Sequence, residues 1–415
     1  MNTLAGLRYG ALGLPLAFVA LPLYVRLPPH YAERYGVPLA VLGALLLGAR
    51  LFDAVADPWI GRLVDRWFGH SAARALVAAG LAAVVLAAGF HGLFFPPIER
   101  GTALLVWCGT LLVGTYLAYS VLGVVHQAWG ARLGGGAEQR ARIVAWREGA
   151  ALAGVLLASM LPALAGPLAA SVGLVLALVL GLGLLARAPR PPADAAGAAP
   201  PHWHAPLATP AFRRLLLLYL LNGVAAAVPA TLVLFFVRDR LQLPTWEPLF
   251  LGVYFAAGAA AMPLWLRAVA RWGLARSWLA GMALAILCFS GAAALGPGDL
   301  IAYTAVCLGS GIALGADLAL PGALLAGVIQ RAGHGGRLEG AYFGWWNAAT
   351  KLNLALAAGL ALPLLAALGY APGRHDPTAM VALTVAYALL PCTLKALAAL
   401  LLWWHWIRTD EDLQR

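Results

Sequence analysis

Three ionisable residues fall within eight positions of an otherwise apolar run, Arg50-Leu51-Phe52-Asp53-Ala54-Val55-Ala56-Asp57-Pro58. Residues 50, 53 and 57 are spaced i, i+3, i+7, so a helix puts them on one face. Two carboxylates converging there could hold a hard cation such as Na⁺, or share one proton at a raised pKa, while the arginine offsets their charge. The same spacing also fits a buried Arg50–Asp53 pair that locks helices together, with Asp57 near the end of the apolar run.

The elements that must position these residues follow from composition. Of 415 residues, 62% are hydrophobic and 11% charged, against about a quarter charged in an ordinary soluble domain. Mean hydropathy is +0.82. Such a chain is not a soluble enzyme, a nucleic-acid-binding protein or a disordered polymer; it reads as a polytopic membrane protein. A charge at membrane depth costs about 2.5–3.5 kcal/mol even on the lenient insertion scale, so three in eight residues call for a use. The four cysteines lie in apolar stretches without a C-x-x-C pair and read as small buried hydrophobes, not a metal site or disulfide framework. No cofactor is expected, nor any ATP-binding G-x-x-x-x-G-K-[ST] loop.

Apolar runs of roughly 20 residues or more predict helices near 5–27, 37–63, 73–95, 102–133, 141–165, 167–187, 210–237, 248–270, 277–295, 300–330, 338–369 and 380–407. That makes twelve, with sharp boundaries expected at Pro28-Pro29, Pro96-Pro97, Gly134-Gly135-Gly136 and Pro297-Gly298. With a cytoplasmic N-terminus, 19 arginines fall on the inner side and 6 on the outer, which places both termini inside. The net charge of +11 then records orientation instead of nucleic-acid binding. A Pro/Ala-rich stretch at 188–209 reads as a cytoplasmic linker between a six-helix bundle at 1–187 and another at 210–415. It carries His202, Trp203 and His204, read as linker residues ahead of a metal site.

An internal repeat supports that division. Pro58-Trp59-Ile60-Gly61-Arg62-Leu63-Val64-Asp65-Arg66-Trp67 and Pro263-Leu264-Trp265-Leu266-Arg267-Ala268-Val269-Ala270-Arg271-Trp272 both read P-x-x-x-R-x-x-x-R-W, 205 residues apart. Parallel six-helix repeats are the architecture of major facilitator transporters, whose solute site lies at midplane between the halves. Arg62, Asp65, Arg66, Arg267 and Arg271 are expected to form inter-helix salt bridges, a cytoplasmic gate that holds one alternating-access state.

The string R-x-x-D-A-x-x-D-P-x-x-G-x-x-x-D, here Arg50, Asp53, Ala54, Asp57, Pro58, Gly61 and Asp65, resembles the second helix of the glycoside–pentoside–hexuronide:cation symporters, the melibiose-carrier family of the major facilitator superfamily. The resemblance implies that Asp53 and Asp57 bind the coupling cation, H⁺ or Na⁺. Arg337-Leu338-Glu339-Gly340-Ala341-Tyr342-Phe343-Gly344, then Lys351-Leu352 and Gly369-Tyr370, is similar to that family's eleventh helix. Lys351 would be its intramembrane lysine, near the cation and solute sites. A lysine midway along an apolar helix needs a partner, and Asp53 and Asp57 are the obvious ones; a lysine snorkelling to an interface is the alternative. Tyr119 through Gly130 with Arg140 and Arg147 is similar to the family's fourth and fifth helices, which puts Arg147 close to the solute.

His126 and Gln127 stand where that family more often has an aromatic residue and Asn. His126 would either relay protons or make a helix–helix contact. Asp317 would either touch solute or pair with an arginine. Trp346, Asn347, Asn222 and Asn353 are further cavity candidates. The family's sugar carriers have acids where this chain has Pro15 and Leu122, and Ala56 replaces an amide common in Na⁺ users. The expectation is an all-α membrane protein with twelve transmembrane helices in two pseudo-symmetric six-helix bundles, the major facilitator fold. It would be a monomeric carrier, not an enzyme, in a bacterial inner membrane, moving a small-molecule solute such as a sugar by cation symport. Transport of a lipid-like or amphipathic solute is the alternative, and a membrane scaffold or enzyme a more distant one.

Overall fold

The computed structural model describes residues 2–192, 202–370, 373 and 376–408, which are helical with turns and contain no strand. Residues 193–201 of the linker, Arg374 and Arg415 lie outside the described residues. In chain order the α-helices are α1 (Thr3–Gly10), α2 (Gly13–Leu21), α3 (Leu27–Tyr35), α4 (Leu39–His70), α5 (Ala72–Phe94), α6 (Gly101–Arg132), α7 (Ala137–Ala186), α8 (Ala205–Ala208), α9 (Pro210–Phe235), α10 (Glu247–Ser290), α11 (Leu300–Arg331), α12 (Glu339–Ala367), α13 (Pro377–Thr384) and α14 (Leu390–Leu402). Among the described residues, nine helical segments are long and apolar enough to cross a bilayer by length and composition. Large apolar side chains that water would disfavour stand exposed on them, such as Leu81 at 66%, Val179 at 67% and Ile301 at 85%. Hydrocarbon solvates such faces.

Local chemistry sets the helix limits. Asn2, Ser71 and Asp376 accept from the backbone N–H three residues on, at 2.8, 3.1 and 3.4 Å, as N-caps do. The predicted break at Pro28-Pro29 does not end the helical path. Helical turns run on to Tyr35, with the prolines in the first turn of α3, where a missing N–H costs nothing. The boundary at Gly36 instead carries φ of +65°, the left-handed C-terminal stop. The long helices α7 and α10 each bend once, at Gly166 (φ 79°) and Gly273 (φ 75°), backbone values that only glycine adopts cheaply. Gly166 falls between the predicted spans 141–165 and 167–187. α4 runs seven residues beyond the predicted end at 63, so Arg62, Asp65 and Arg66 sit in its last turns, not in a loop.

The chain divides into two compact units. The first contains residues 1–209 and 326–348, and the second 210–325 and 349–415. The first unit thus includes the end of α11 and the first ten residues of α12. Its core is lined by Leu12, Phe18, Leu86, Phe90, Leu112 and Trp129, all nearly sealed from solvent. The second unit is centred on aromatic residues: Phe236 stacks on Tyr387 with ring centroids 4.1 Å apart, and the Tyr387 and Tyr303 hydroxyls lie 2.6 Å apart.

The end of the linker is packed into the first unit. Trp203 lies against Trp59 of α4 at 5.2 Å and stacks on Trp345 of α12 at 5.6 Å between centroids. The Trp345 indole N–H donates to the Trp203 carbonyl at 3.1 Å. Thr209 and Tyr342 share a hydroxyl hydrogen bond of 2.7 Å, and Tyr342 also meets His334 Nδ1 at 2.8 Å.

Candidate functional site

Along α4 the buried positions include Ala49, Asp53, Asp57, Ile60 and Val64, while Leu47, Leu51, Val55 and Trp59 are exposed. That three-to-four spacing gives α4 one apolar face toward solvent or lipid and one face turned inward. Asp53 and Asp57 both lie on the inward face, at 4% and 0% exposure; Arg50 is partly buried. Ser120 of α6 donates its hydroxyl to Asp53 Oδ1 at 2.7 Å. Pro58 has no N–H, so the Ala54 carbonyl between the two acids lacks its usual helical donor. The result is a concentration of hard oxygen atoms, two carboxylates, a hydroxyl and a carbonyl, on adjoining faces of α4 and α6. Sequence reasoning gave Ser120 no role, because a serine in an apolar helix is unremarkable until its neighbour is known.

The first ten residues of α12 come down on this same face. A Cβ built on Gly340 would lie 2.3 Å from the Gly61 carbonyl oxygen, and one on Gly61 would lie 2.2 Å from the Gly340 carbonyl oxygen. Gly344 likewise lies against the Asp57 carbonyl, at 2.4 Å from its own would-be Cβ. Glycines four apart let two backbones meet, as small-residue motifs do in membranes. The two strings that carry the family resemblance are therefore in direct contact. Trp346 is 5% exposed, and the Asn347 amide faces Gly123 of α6, 3.9 Å from where its Cβ would stand.

One turn further on, Asp65 receives the α12 N-terminus. The backbone N–H groups of Gly340 and Ala341 each donate to its carboxylate at 2.7 Å, which suits a negative charge at the positive end of a helix. Arg132, from the last turn of α6, pairs with Asp65 at 3.1 Å and with Glu339 at 3.2 Å. Its guanidinium also lies 4.6 Å from the Phe68 ring and donates to the Gly336 carbonyl at 2.7 Å. Of the expected gate residues, Asp65 enters this network; Arg62 is partly buried, and Arg66, Arg267 and Arg271 are exposed. Arg132 and Glu339 had no gate role in the sequence reading. Glu339 stood in the quoted R-x-E-G string, and that string held the signal.

The remaining candidates fall in three places. Arg147 grips its own neighbour, with Nε and Nη2 donating to Glu148 Oε1 at 2.9 and 2.7 Å. Adjacent helical residues point about 100° apart, so this pair gave no periodic signal. His126 is fully buried and braces α1 to α6: its Nε2 meets the Tyr9 carbonyl at 2.8 Å while the Tyr9 hydroxyl donates to the His126 carbonyl at 3.0 Å. A carbonyl only accepts, so Nε2 carries the proton. Tyr119 and Gln127 are partly buried on α6. Asp317 and Lys351 belong to the second unit. Asp317 pairs at 2.6 Å with Lys395, not with an arginine; Lys351 is partly buried on α12. His202 and His204 stack at 5.2 Å, and among the described residues no group of three metal-ligating side chains is found.

Comparison with known proteins adds three findings. The sequence model for the family described as MFS/sugar transport protein matches residues 6–408. No curated protein sequence matches the chain. Solved structures share its fold. A bacterial homologue of the iron transporter ferroportin superposes with a TM-score of 0.69 at 18% identity, covering 96% of this chain and 100% of that one. The Escherichia coli fucose:proton symporter FucP gives 0.67 at 14% identity, covering 94% and 98%. The proton:xylose symporter XylE gives 0.64 at 13%, covering 97% and 94%.

Proposed function

The chain belongs to the MFS/sugar transport protein family, a transporter of the major facilitator fold embedded in a membrane by several apolar helices, and from that premise we propose that it carries out cation-coupled symport. The solute is a small polyhydroxylated molecule of the sugar class, moved by alternating access. The coupling ion, H⁺ or Na⁺, binds Asp53 and Asp57. The observation that carries this reading is the burial of two carboxylates one helical turn apart, at 4% and 0% exposure, on a helix whose other face is apolar. An acid at membrane depth is expensive and is retained where it handles an ion. The Ser120 hydroxyl and the Ala54 carbonyl supplement the oxygen set.

Asp65, Arg132 and Glu339 act as the gate. They hold the start of α12 against α4 and α6 by charge and by helix capping, and they release it when the carrier changes state. The arginine bias supports both termini facing the cytoplasm, and the bacterial origin of two fold neighbours suggests an inner membrane as the setting. Fucose and xylose, the sugars named for two fold neighbours, supply the first solutes to test.

Reconstitution in liposomes tests the reading. With an imposed Na⁺ or pH gradient, the wild-type protein is expected to accumulate labelled L-fucose, D-xylose or melibiose against its own gradient. Asp57→Asn is expected to abolish accumulation while leaving the protein folded in the bilayer. Accumulation that survives in both Asp53→Asn and Asp57→Asn removes these acids from coupling.

A further inference from the structure

The second unit contains a charged cluster that the cation site and gate leave unused. Asp317 of α11 accepts from Lys395 Nζ of α14 at 2.6 Å, from the Trp278 indole of α10 at 2.8 Å and from Asn222 Nδ2 of α9 at 3.3 Å. Lys395 Nζ also donates to Asn222 Oδ1 at 2.8 Å. Four helices thus meet at one carboxylate. Trp278 is sealed from solvent and Asn222 nearly so, yet the Lys395 and Asp317 side chains keep 10% and 17% exposure.

A count of valences shows what the cluster can still bind. An ammonium has three donors, a carboxylate about four acceptor sites, and an amide two of each. Lys395 uses two of its donors, and Asp317 accepts three bonds, two on Oδ1 and one on Oδ2. The indole has spent its only donor. A spare ammonium N–H and a spare carboxylate lone pair therefore remain side by side on the two residues whose side chains keep partial exposure, with a spare amide donor and acceptor on Asn222 behind them. A hydroxyl group is at once a donor and an acceptor, so it matches this arrangement. Charge narrows the ligand further. The ammonium repels a cation and the carboxylate repels an anion, and the pair together is neutral. Hydrogen bonds to charged groups are about twice as strong as neutral ones; water makes them too, and what favours a polyol is that one molecule brings several hydroxyls and displaces several waters.

We propose that Asp317, Lys395 and Asn222 form a hydroxyl-binding site in the second unit for a neutral polyhydroxylated solute, with Trp278 fixing the carboxylate in place. This rests on the sugar-transport reading and assigns part of its solute recognition to residues outside the α4 site.

The test is thermal unfolding of the purified protein with melibiose, D-xylose and L-fucose, and separately with Na⁺ and with pH. A ligand that binds the folded state raises the unfolding temperature. The wild type is expected to be stabilised by at least one sugar. The double variant Asp317→Asn/Lys395→Met removes both charges together, so neither is stranded. It is expected to keep its response to Na⁺ or pH and to lose the sugar shift. Asn222→Ala keeps the ion pair and serves if the double variant fails to fold. Loss of one hydrogen bond from such a site weakens binding by about tenfold, and that is the expected change in the sugar concentration for half-maximal shift. Unchanged sugar affinity in whichever variant folds overturns the site and leaves the transport reading standing. Absence of any sugar shift in the wild type overturns both.

Discussion

Arg132 and Asp65 lie 3.1 Å apart with both side chains 1% exposed, although 67 positions separate them in the chain. The guanidinium is shared with Glu339, so one cation offsets two buried carboxylates, and the α12 N-terminus offsets the rest. Removing one partner of such a pair strands a buried charge at a cost of about 3–5 kcal/mol. Arg132→Ala, which takes the guanidinium away from both acids at once, is expected to lower the unfolding temperature more than Asp65→Asn. Arg132→Lys is expected to rescue little, because an ammonium lacks the planar fork that reaches both acids. Thermal denaturation in detergent ranks the three; equal stability of Arg132→Lys and wild type would refute the shared-fork account.

The Gly61–Gly340 contact predicts a sharp asymmetry among glycines. Alanine at either position drives a Cβ to within 2.2–2.3 Å of a backbone carbonyl oxygen, and helix backbones cannot step aside as a side-chain end can. Overpacking of this kind costs about 1–3 kcal/mol or more. Gly183 of α7 has open space where its Cβ would go, so Gly183→Ala is expected to be neutral or to gain up to about 1 kcal/mol of helix propensity. Expression level and unfolding temperature of the three variants decide it; a tolerated Gly340→Ala would mean the helices are not held this close.

Trp203 ties the linker to both α4 and α12 through its two ring contacts and its carbonyl. Trp203→Ala removes the rings and is expected to expose the linker to protease several-fold faster, since cleavage follows the population of the locally open form. Trp203→Phe keeps an aromatic face and is expected to fall between. Identical cleavage rates for all three proteins would show that the aromatic contacts do not hold the linker.

His334, in the turn before α12, adds a pH dependence. Burial, and next the Arg337 cation, hold its pKa below the ordinary value. The folded state then binds this proton less readily than the unfolded chain. The stability from His334 is complete above the unfolded value of about 6.5 and is lost as pH falls through the lower, folded value. His334→Asn is expected to flatten the fall in unfolding temperature between about pH 7 and about pH 5. An undiminished slope in the variant would assign it to other groups.

Several features could be read from the chain alone because they depend on neighbours in sequence. The spacing of Asp53 and Asp57 fixes a shared helix face whatever packs on it, and the predicted spans 141–165 and 167–187 part at Gly166, which Pro167 follows, a pair that takes away a helical N–H and restricts the residue before it. Pro28-Pro29 misled because proline breaks a helix only past its first turn. The ion pairs were hidden for a different reason. Lys395, one of only two lysines and set in an apolar stretch, was given no role by the sequence analysis, and nothing along the chain points to its partner Asp317, 78 positions away. Arg147 and Glu148 are adjacent, yet periodicity predicts that they diverge.

Composition and period alone establish that this protein lives in a bilayer, that α4 presents two acids on one face, and that two halves repeat a motif. Each is a matter of composition or period, set by the cost of charge in hydrocarbon and by 3.6 residues per turn. It took the folded chain to bring α12 onto α4 glycine to glycine, Arg132 to Asp65 and Glu339, and Asp317 to Lys395. Those pairings depend on which helices approach closely enough for a buried charge to find its counter-charge, and distance in space has no fixed relation to distance along the chain.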